Sequence, residues 1–422
     1  MLISAAQIHG SEIPAQKVRA HTTRIALSII SLFLTIAMSI GQAQTASPPG
    51  DLPTVRNAAA AIAAGNVTKA ESELQAVLRS TPNDVHALNL LGIIRAQQHR
   101  EPEAEQLFKR AIEIDPDFAG AHASLGLLYV QMGKAALAIL QLQEALRIDP
   151  GRKDAEDVLA GIWRDQAHAA AESGDLEKAL ALLLQARKLN PNQPDIEYDL
   201  GMVALRMSLF PDAKEAFEKT LRLKKDDAPA LYGMGRATMA LAQFDDARGA
   251  FTKYAELRPQ DASGHYALGL TLQALQRPLE ARTEYEKSIE LQPLQTESYF
   301  QLGLIDLEAE NLAVATEQFD RVLKRAPAHA GALTGMGRIE FQKKHYADAA
   351  SLFERAIAAN SLLREAHYYL GLTDARLRRK EESEKELQIA GQIEHDEVEK
   401  HQNVLKVIDP DQVRVPAGAQ NQ

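Results

Sequence analysis

The chain has 422 residues, a formal net charge of −10 and no cysteine. Without cysteine there can be no disulfide, no thiolate metal site and no catalytic thiol, so the fold must rest on packing alone. The 57 acidic and 47 basic residues are interspersed, and no basic stripe of the kind that binds nucleic acid is present. The composition therefore predicts that nucleic acid is not a partner.

Residues 1–43 have the pattern of an export signal. Basic residues precede the uncharged run 25–40, and Gly41-Gln42-Ala43 offers the small residues that a signal peptidase needs. We expect cleavage before Gln44, which would leave the mature protein periplasmic or secreted, with residues 44–50 as a linker.

An uncleaved anchor is the alternative interpretation of the same segment. It would hold the chain at the inner membrane, facing the periplasm, through residues 25–40. A spanning helix needs about 20 apolar residues, and this run has sixteen. The basic segment before the run is long for a signal, which leaves a misassigned start codon or an extended leader open.

From residue 51 onwards the chain repeats a pattern of 34 residues, which is clearest in 85–118. Each repeat holds two segments with apolar residues at helical spacing, and a proline such as Pro116 closes the second. A Leu-Gly pair recurs in the first segment at Leu91-Gly92, Leu125-Gly126, Leu200-Gly201, Leu268-Gly269, Leu302-Gly303 and Leu370-Gly371. An alanine recurs in the second segment at Ala70, Ala104, Ala138, Ala179, Ala213, Ala247, Ala281, Ala315 and Ala349.

This pattern of a Leu-Gly pair, small residues, an aromatic residue and a late proline resembles the tetratricopeptide repeat (TPR) family. The resemblance implies an all-α fold, an α-solenoid superhelix of about ten TPR helical hairpins, in which each hairpin buries the apolar face of its neighbour. The ten repeats are predicted at 51–84, 85–118, 119–152, 153–193, 194–227, 228–261, 262–295, 296–329, 330–363 and 364–397. Residues 398–422 are predicted to contain the end of a capping helix and a disordered tail.

The fourth repeat departs from the period. Pro150 and Pro191 are 41 residues apart, an excess of seven. Seven residues make almost two helical turns, so the excess can lengthen the first helix of this repeat without turning its buried face away. A loop insertion is the alternative, because Gly151 and Gly161 both weaken a continuous helix.

A search for catalytic motifs finds no HExxH, no GxxxxGK[ST], no GxSxG and no GxGxxG with a following strand. His395 and His401 lie near acidic residues, but a spacing of six puts the two rings on different sides of a helix. The sequence therefore predicts no enzyme, no metal and no cofactor.

In TPR proteins the first helices line a concave groove that accepts peptides or protein segments, so the resemblance implies a protein or peptide partner. The Asn and Lys pattern of those TPR proteins that clamp a C-terminal carboxylate is missing from the groove-facing positions. The repeated groove asparagine of the O-linked N-acetylglucosamine transferases is also missing. Neither of these partner classes is favoured.

Residues spaced by 34 in the first helices are the candidate groove contacts. They are Tyr198, Met202, Tyr232, Arg236, Tyr266, Leu270, Phe300, Leu304, Arg338, Tyr368 and Leu372. Aromatic residues, methionine and arginine are enriched where binding energy concentrates. We expect a ladder of exposed rings, with an amphipathic or extended segment along repeats five to eight and an acidic side chain of that segment near Arg236. The alternative is that the tyrosines only pack between adjacent first helices.

Three functional hypotheses follow from the sequence. The favoured one is a non-catalytic TPR scaffold, exported to the cell envelope, that binds proteins or peptides in its groove. The alternative is an accessory subunit of an envelope machine, in exopolysaccharide secretion or pilus assembly. An enzyme built on the helices is disfavoured, because no cluster of titratable residues converges in the sequence.

Overall fold

The computed structural model describes residues 54–408, with the environment of side chains to residue 396. In this range 20 helices cover about four fifths of the residues and no strand is present. The predicted all-α fold of TPR hairpins is confirmed. The expected signal, linker and tail at residues 1–43, 44–50 and beyond 408 lie outside the described residues, as does the side chain of His401.

The described residues form two compact units, one that ends at Leu241 and one that begins at Ala242. The helices of the first unit are α1 (Val55–Ala63), α2 (Val67–Ser80), α3 (Val85–Gln97), α4 (Glu101–Ile114), α5 (Ala119–Gln131), α6 (Ala135–Ile148), α7 (Lys153–Glu172), α8 (Leu176–Leu189), α9 (Pro194–Arg206), α10 (Phe210–Leu223) and α11 (Ala228–Ala240). Those of the second unit are α12 (Phe244–Leu257), α13 (Ala262–Ala274), α14 (Pro278–Leu291), α15 (Glu297–Glu308), α16 (Leu312–Arg325), α17 (Ala330–Gln342), α18 (Tyr346–Ala359), α19 (Arg364–Arg376) and α20 (Lys380–Ile408).

Many of the hairpins are held by a close approach of their two helices at a glycine that follows a leucine or methionine of the first helix. A Cβ atom placed on Gly92 would lie 2.5 Å from the ring of Phe108, and one on Gly269 would lie 2.6 Å from the ring of Tyr285. The same contact recurs between Gly201 and Phe217, Gly303 and Phe319, and Gly337 and Phe353. Because these rings are fully buried, they fill the gap that the missing side chain leaves.

Three histidines, spaced by whole repeats, connect each of their hairpins to the turn that precedes it. In every case Nδ1 contacts a side-chain oxygen of the second helix and Nε2 contacts a backbone carbonyl oxygen of the turn. The sets are His122 with Gln141 at 2.8 Å and Pro116 at 3.1 Å, His265 with Glu284 at 2.6 Å and Pro259 at 3.3 Å, and His367 with Glu386 at 2.6 Å and Ser361 at 3.1 Å. These buried rings therefore satisfy a turn carbonyl that the apolar packing would leave unpaired.

The excess of seven residues in the fourth repeat lengthens a helix. Helix α7 has 20 residues, whereas α5 and α9 on either side have 13 each. The difference equals the excess, and Leu159 and Ile162 of the added turns are buried. The predicted helix extension is confirmed, and the alternative of a loop insertion is wrong.

The turns between the two helices of a hairpin use a left-handed residue. Gly65, Gly133 and Gly174 have positive φ, as turn glycines often do. Seven other turns place a residue with a side chain there, with φ between 56° and 65°: His99, Ser208, Ala242, Gln276, Glu310, Lys344 and Arg378. A residue with a Cβ pays a steric penalty in this conformation, so these turns store local strain.

We predict that Glu310→Gly stabilises the second unit by about 0.5–1 kcal/mol, because glycine removes the steric cost of the left-handed conformation. The control is Glu308→Gly, two residues earlier at the end of α15, where glycine should instead destabilise by up to about 1 kcal/mol. Urea titrations followed by circular dichroism measure both. Equal effects of the two substitutions would contradict the assignment of strain to Glu310.

We also predict that Gly269→Ala destabilises α13 and α14 by about 1–3 kcal/mol, since the new methyl group would collide with Tyr285. Gly249→Ala in α12 is the matched control, because a Cβ atom there has no neighbour within 4 Å. Hydrogen exchange should accelerate in α13 and α14 of the Gly269 variant while α3 to α6 keep their protection, because repeats contact only their neighbours. Accelerated exchange throughout the chain would show that the array unfolds as one cooperative body.

Candidate partner-binding groove

The first helices line the concave side of each compact unit. In the first unit α3 contacts α5 and α9 contacts α11, and in the second unit α15 contacts α17 and α17 contacts α19. Consecutive second helices within the described residues do not approach as closely. Because the first helices are the closer set, each unit curves with these helices on its inner side.

In the first unit the predicted contacts Tyr198, Met202, Tyr232 and Arg236 lie half-buried on α9 and α11. The ring of Tyr198 packs against Phe217 of the same hairpin, with ring centroids 5.9 Å apart. Burial raises the pKa of Tyr198 to about 12, and the carboxylates of Asp199 and Asp227 add to the rise. The phenol therefore stays protonated at neutral pH and can donate a hydrogen bond.

In the second unit the expectation of exposed rings fails at two positions. Tyr266 and Phe300 are 6% and 8% exposed, and Leu270 is 1% exposed. Their rings pack on the second helices, Tyr266 on Tyr285 at 5.9 Å and Phe300 on Phe319 at 6.2 Å. These three residues belong to the core, and the ladder is not a continuous exposed surface.

The physical reason is clearest at Phe300. A Cβ atom on Gly331, in the first turn of α17, would lie 2.6 Å from the Phe300 ring. The small residue of the next repeat thus lets the ring fold into the space between the hairpins. Leu304, Arg338 and Leu372 remain half-buried, and Tyr368 is 43% exposed. Whether any of the eleven candidate residues binds a partner stays a prediction.

A charged cluster between α7 and α9 was not predicted from the sequence. The Arg164 Nε donates a short hydrogen bond to Asp199 Oδ2, His168 Nε2 lies 2.7 Å from the same oxygen, and Arg164 Nη1 lies 3.4 Å from Asp195. Arg164 and His168 stand 34 residues before Tyr198 and Met202, so the same periodicity could have found them. They bridge two first helices that approach less closely than α9 and α11.

The hydrogen bond to Asp199 raises the pKa of His168, and the negative charge of Asp199 contributes in the same direction. Burial and the neighbouring Arg164 act against this rise without cancelling it. Protonated His168 therefore stabilises the connection between α7 and α9.

The second unit has a comparable pair beside a group of aromatic rings. Arg338 Nη1 donates to Glu365 at 2.9 Å, and its guanidinium lies 5.3 Å from the centre of the Tyr369 ring. Phe341 and Phe353 contact the same ring at 6.2 Å and 5.9 Å. Tyr369 is thus a packing centre that the periodicity does not indicate.

One cluster among the described residues could hold a metal ion. Ligand atoms of Glu340, His345 and Asp348 lie within 4.8 Å of one another at the turn before α18. Glu340 already accepts hydrogen bonds from Lys343 at 3.0 Å and from His345 at 2.7 Å. The Lys343 contact lowers the pKa of Glu340, so this carboxylate is already paired with a cation of the protein.

The described helices include none with both the length and the apolar character needed to cross a membrane. That search does not extend to residues 25–40, which lie outside the described part.

The repeated hairpins, their glycine contacts and the groove of first helices define a TPR repeat protein, a class whose fold serves protein binding. The chain belongs to the TPR family described as the Cilia and flagella-associated protein 70 C-terminal domain, whose model matches residues 19–298. A second family model, Tetratricopeptide repeat, matches residues 300–362 and 334–392.

Several known proteins share these repeats. Type IV pilus assembly protein PilF of Pseudomonas aeruginosa is 30% identical over 138 residues, which cover 32% of this chain and 52% of that protein. Protein O-mannosyl-transferase TMTC3 of Homo sapiens is 31% identical over 146 residues, covering 32% of this chain and 15% of that protein. The chain thus spans about half the length of the first relative and a small part of the second.

Among solved structures, MamA from residue 41 to its end, from Desulfovibrio magneticus RS-1, is 22% identical with a TM-score of 0.39. The match covers 42% of this chain and 97% of that one.

We predict that the stability of the first unit depends on pH through His168. Because its folded-state pKa is raised, its stabilisation is complete below the unfolded value of about 6.5 and is lost as pH rises through the folded value. Thermal unfolding of the wild type and of His168→Gln should differ most at pH 6 and converge as pH rises. A difference that stays constant from pH 6 to pH 9 would contradict the assigned proton.

Proposed function

We propose that this protein is a non-catalytic TPR scaffold, exported to the cell envelope, that holds a protein or peptide segment in the groove of its first helices. The observation that carries the proposal is a row of first-helix side chains that remain partly in water in each unit, with Met202, Leu304 and Leu372 half-buried and Tyr368 exposed. Apolar and aromatic groups that the fold leaves partly in water are typical of surfaces that a partner covers.

Export to the envelope is the second part of this proposal. It rests on the uncharged run 25–40 and on the Gly41-Gln42-Ala43 site. The mature protein would begin near Gln44 and work in the periplasm or outside the cell. An uncleaved segment would instead hold the repeats at the inner membrane, facing the periplasm.

The proposal assigns the repeats no chemistry of their own. The transferase relative shares only a small part of its length with this chain. That resemblance therefore concerns repeats and carries no argument for catalysis.

The second candidate function is an accessory subunit of an envelope machine, in pilus assembly or exopolysaccharide secretion. The similarity to a type IV pilus assembly protein supports a role in the first of these two machines. In such a role the groove would bridge components of the assembly and would not capture a free peptide.

The proposal predicts that a tagged full-length chain captures an envelope protein through its groove. Tyr368→Asp should reduce capture by about 10-fold, because a carboxylate replaces an exposed ring at the concave surface. Leu279→Asp is the control, since Leu279 is 78% exposed at the start of a second helix, α14. Cross-linking in the envelope fraction, read by quantitative mass spectrometry, measures both variants.

Equal losses for the two variants would mean that the groove is not the binding surface. N-terminal sequencing of the same purified protein tests export, with a start near Gln44 expected. Recovery of the intact chain from the cytosol alone would overturn the proposed location.

A further inference from the structure

Within the groove of the first unit, one arginine differs from the others. Arg164 is paired with Asp199 and Asp195, and in the second unit Arg338 is paired with Glu365. Arg236 is half-buried on α11 and makes no hydrogen bond or ion pair with any described residue. A half-buried guanidinium without an acceptor in the protein keeps its N–H donors available to water or to a bound anion.

The hydroxyl of Tyr198 is the second unused donor at the same place. It stands on α9, one helical turn before the level of Arg236 on the adjacent helix α11, and no described residue accepts its proton. The two groups are close enough that the positive charge of Arg236 lowers the pKa of Tyr198, against the larger effect of burial. Two donors of this kind, side by side, match the two oxygens of a carboxylate.

The carboxylates of the protein near this point are already engaged. Asp199 accepts from Arg164 and His168. Asp227 accepts from Lys224 Nζ at 2.6 Å and from the backbone of Ala230 at 3.0 Å. Asp199 and Asp227 each have a cationic partner, so Arg236 is the positive group near Tyr198 for which the described residues supply no acid.

We propose that Tyr198 and Arg236 form a receptor for the side-chain carboxylate of an Asp or Glu in a bound peptide segment, with an adjacent apolar side chain of that segment on Met202. This inference rests on the proposed function and names the chemistry of the partner. An internal acid is favoured over a C-terminal carboxylate because the groove continues beyond Tyr198 towards Arg164 and His168, so a segment can pass through it. The Asn and Lys pattern of the TPR clamp for chain ends is also missing.

The test begins with a library of random 12-residue peptides displayed on phage and selected on the full chain. Selected sequences are made as synthetic peptides, and their affinity is measured by fluorescence anisotropy. We expect an Asp or Glu at a fixed spacing from an aromatic residue or leucine. Replacing that acid by its amide should weaken binding by about 10-fold or more, as for a charge-assisted hydrogen bond.

The protein variants are chosen to separate the site from general charge. Arg236→Gln should weaken binding as much as loss of the acid, and Tyr198→Phe, which keeps the ring, by about 3-fold. Arg206→Gln is the matched control, because it removes the same charge from an exposed position at the end of α9. It should change binding less than 2-fold, about the loss expected for an exposed charge. Circular dichroism should be unchanged for all three variants.

Three results would overturn the inference. If peptides bind Arg236→Gln as tightly as the wild type, or Arg206→Gln weakens them equally, the carboxylate receptor is wrong while the scaffold function stands. If amidation of the peptide C-terminus abolishes binding and loss of the internal acid does not, the segment ends in the groove. If no peptide is selected by the wild type, the proposed peptide-binding function fails together with the inference.

Discussion

The structure depends on one contact, which is repeated along the chain: a glycine of the first helix against a large side chain of the second. At Gly303 and Phe319, as at Gly337 and Phe353, the ring occupies the space of the absent side chain. Where the second helix has a leucine at this position, the two helices approach equally closely. A Cβ atom placed on Gly126 would lie 2.8 Å from Leu142. This contact sets the spacing within the hairpin, and it leaves other positions of the first helix to form the groove.

The packing between neighbouring hairpins explains why one sequence position can belong to the core in one repeat and to the surface in another. Phe300 folds inwards because Gly331 of the next repeat makes room for it. Tyr368 lies on α19, which no further first helix follows in the described residues, and it stays 43% exposed. A surface built by stacking is therefore determined by pairs of neighbouring repeats, and a single repeat does not define it.

Much of the fold could be predicted from the sequence because its signals are local and repeated. The Leu-Gly pairs and the excess of seven residues between Pro150 and Pro191 were enough to predict the hairpins and the long helix α7. The burial of Tyr266 was not predictable in this way, because it depends on how its ring packs against Tyr285. Nor was the left-handed turn at Glu310, since glycine is the usual signal for it.

The candidate site was predictable only in part, for an electrostatic reason. Periodicity found Tyr198 and Arg236, but charge pairing decides which arginine is available to a partner. Arg338 stands at the position equivalent to Arg236, yet Glu365 of the next repeat neutralises it. Whether an arginine is available to a partner depends on contacts between repeats. The spacing of residues along the sequence does not show these contacts.

The most direct test of a carboxylate receptor in the first unit is a double-mutant cycle between Arg236→Gln and replacement of the peptide's acid by its amide. If the two groups contact each other, either single change should remove most of the interaction and the double change should cost little more, giving a coupling energy of at least about 1 kcal/mol. Effects that simply add, with a coupling energy near zero, would contradict a direct contact between Arg236 and the bound segment.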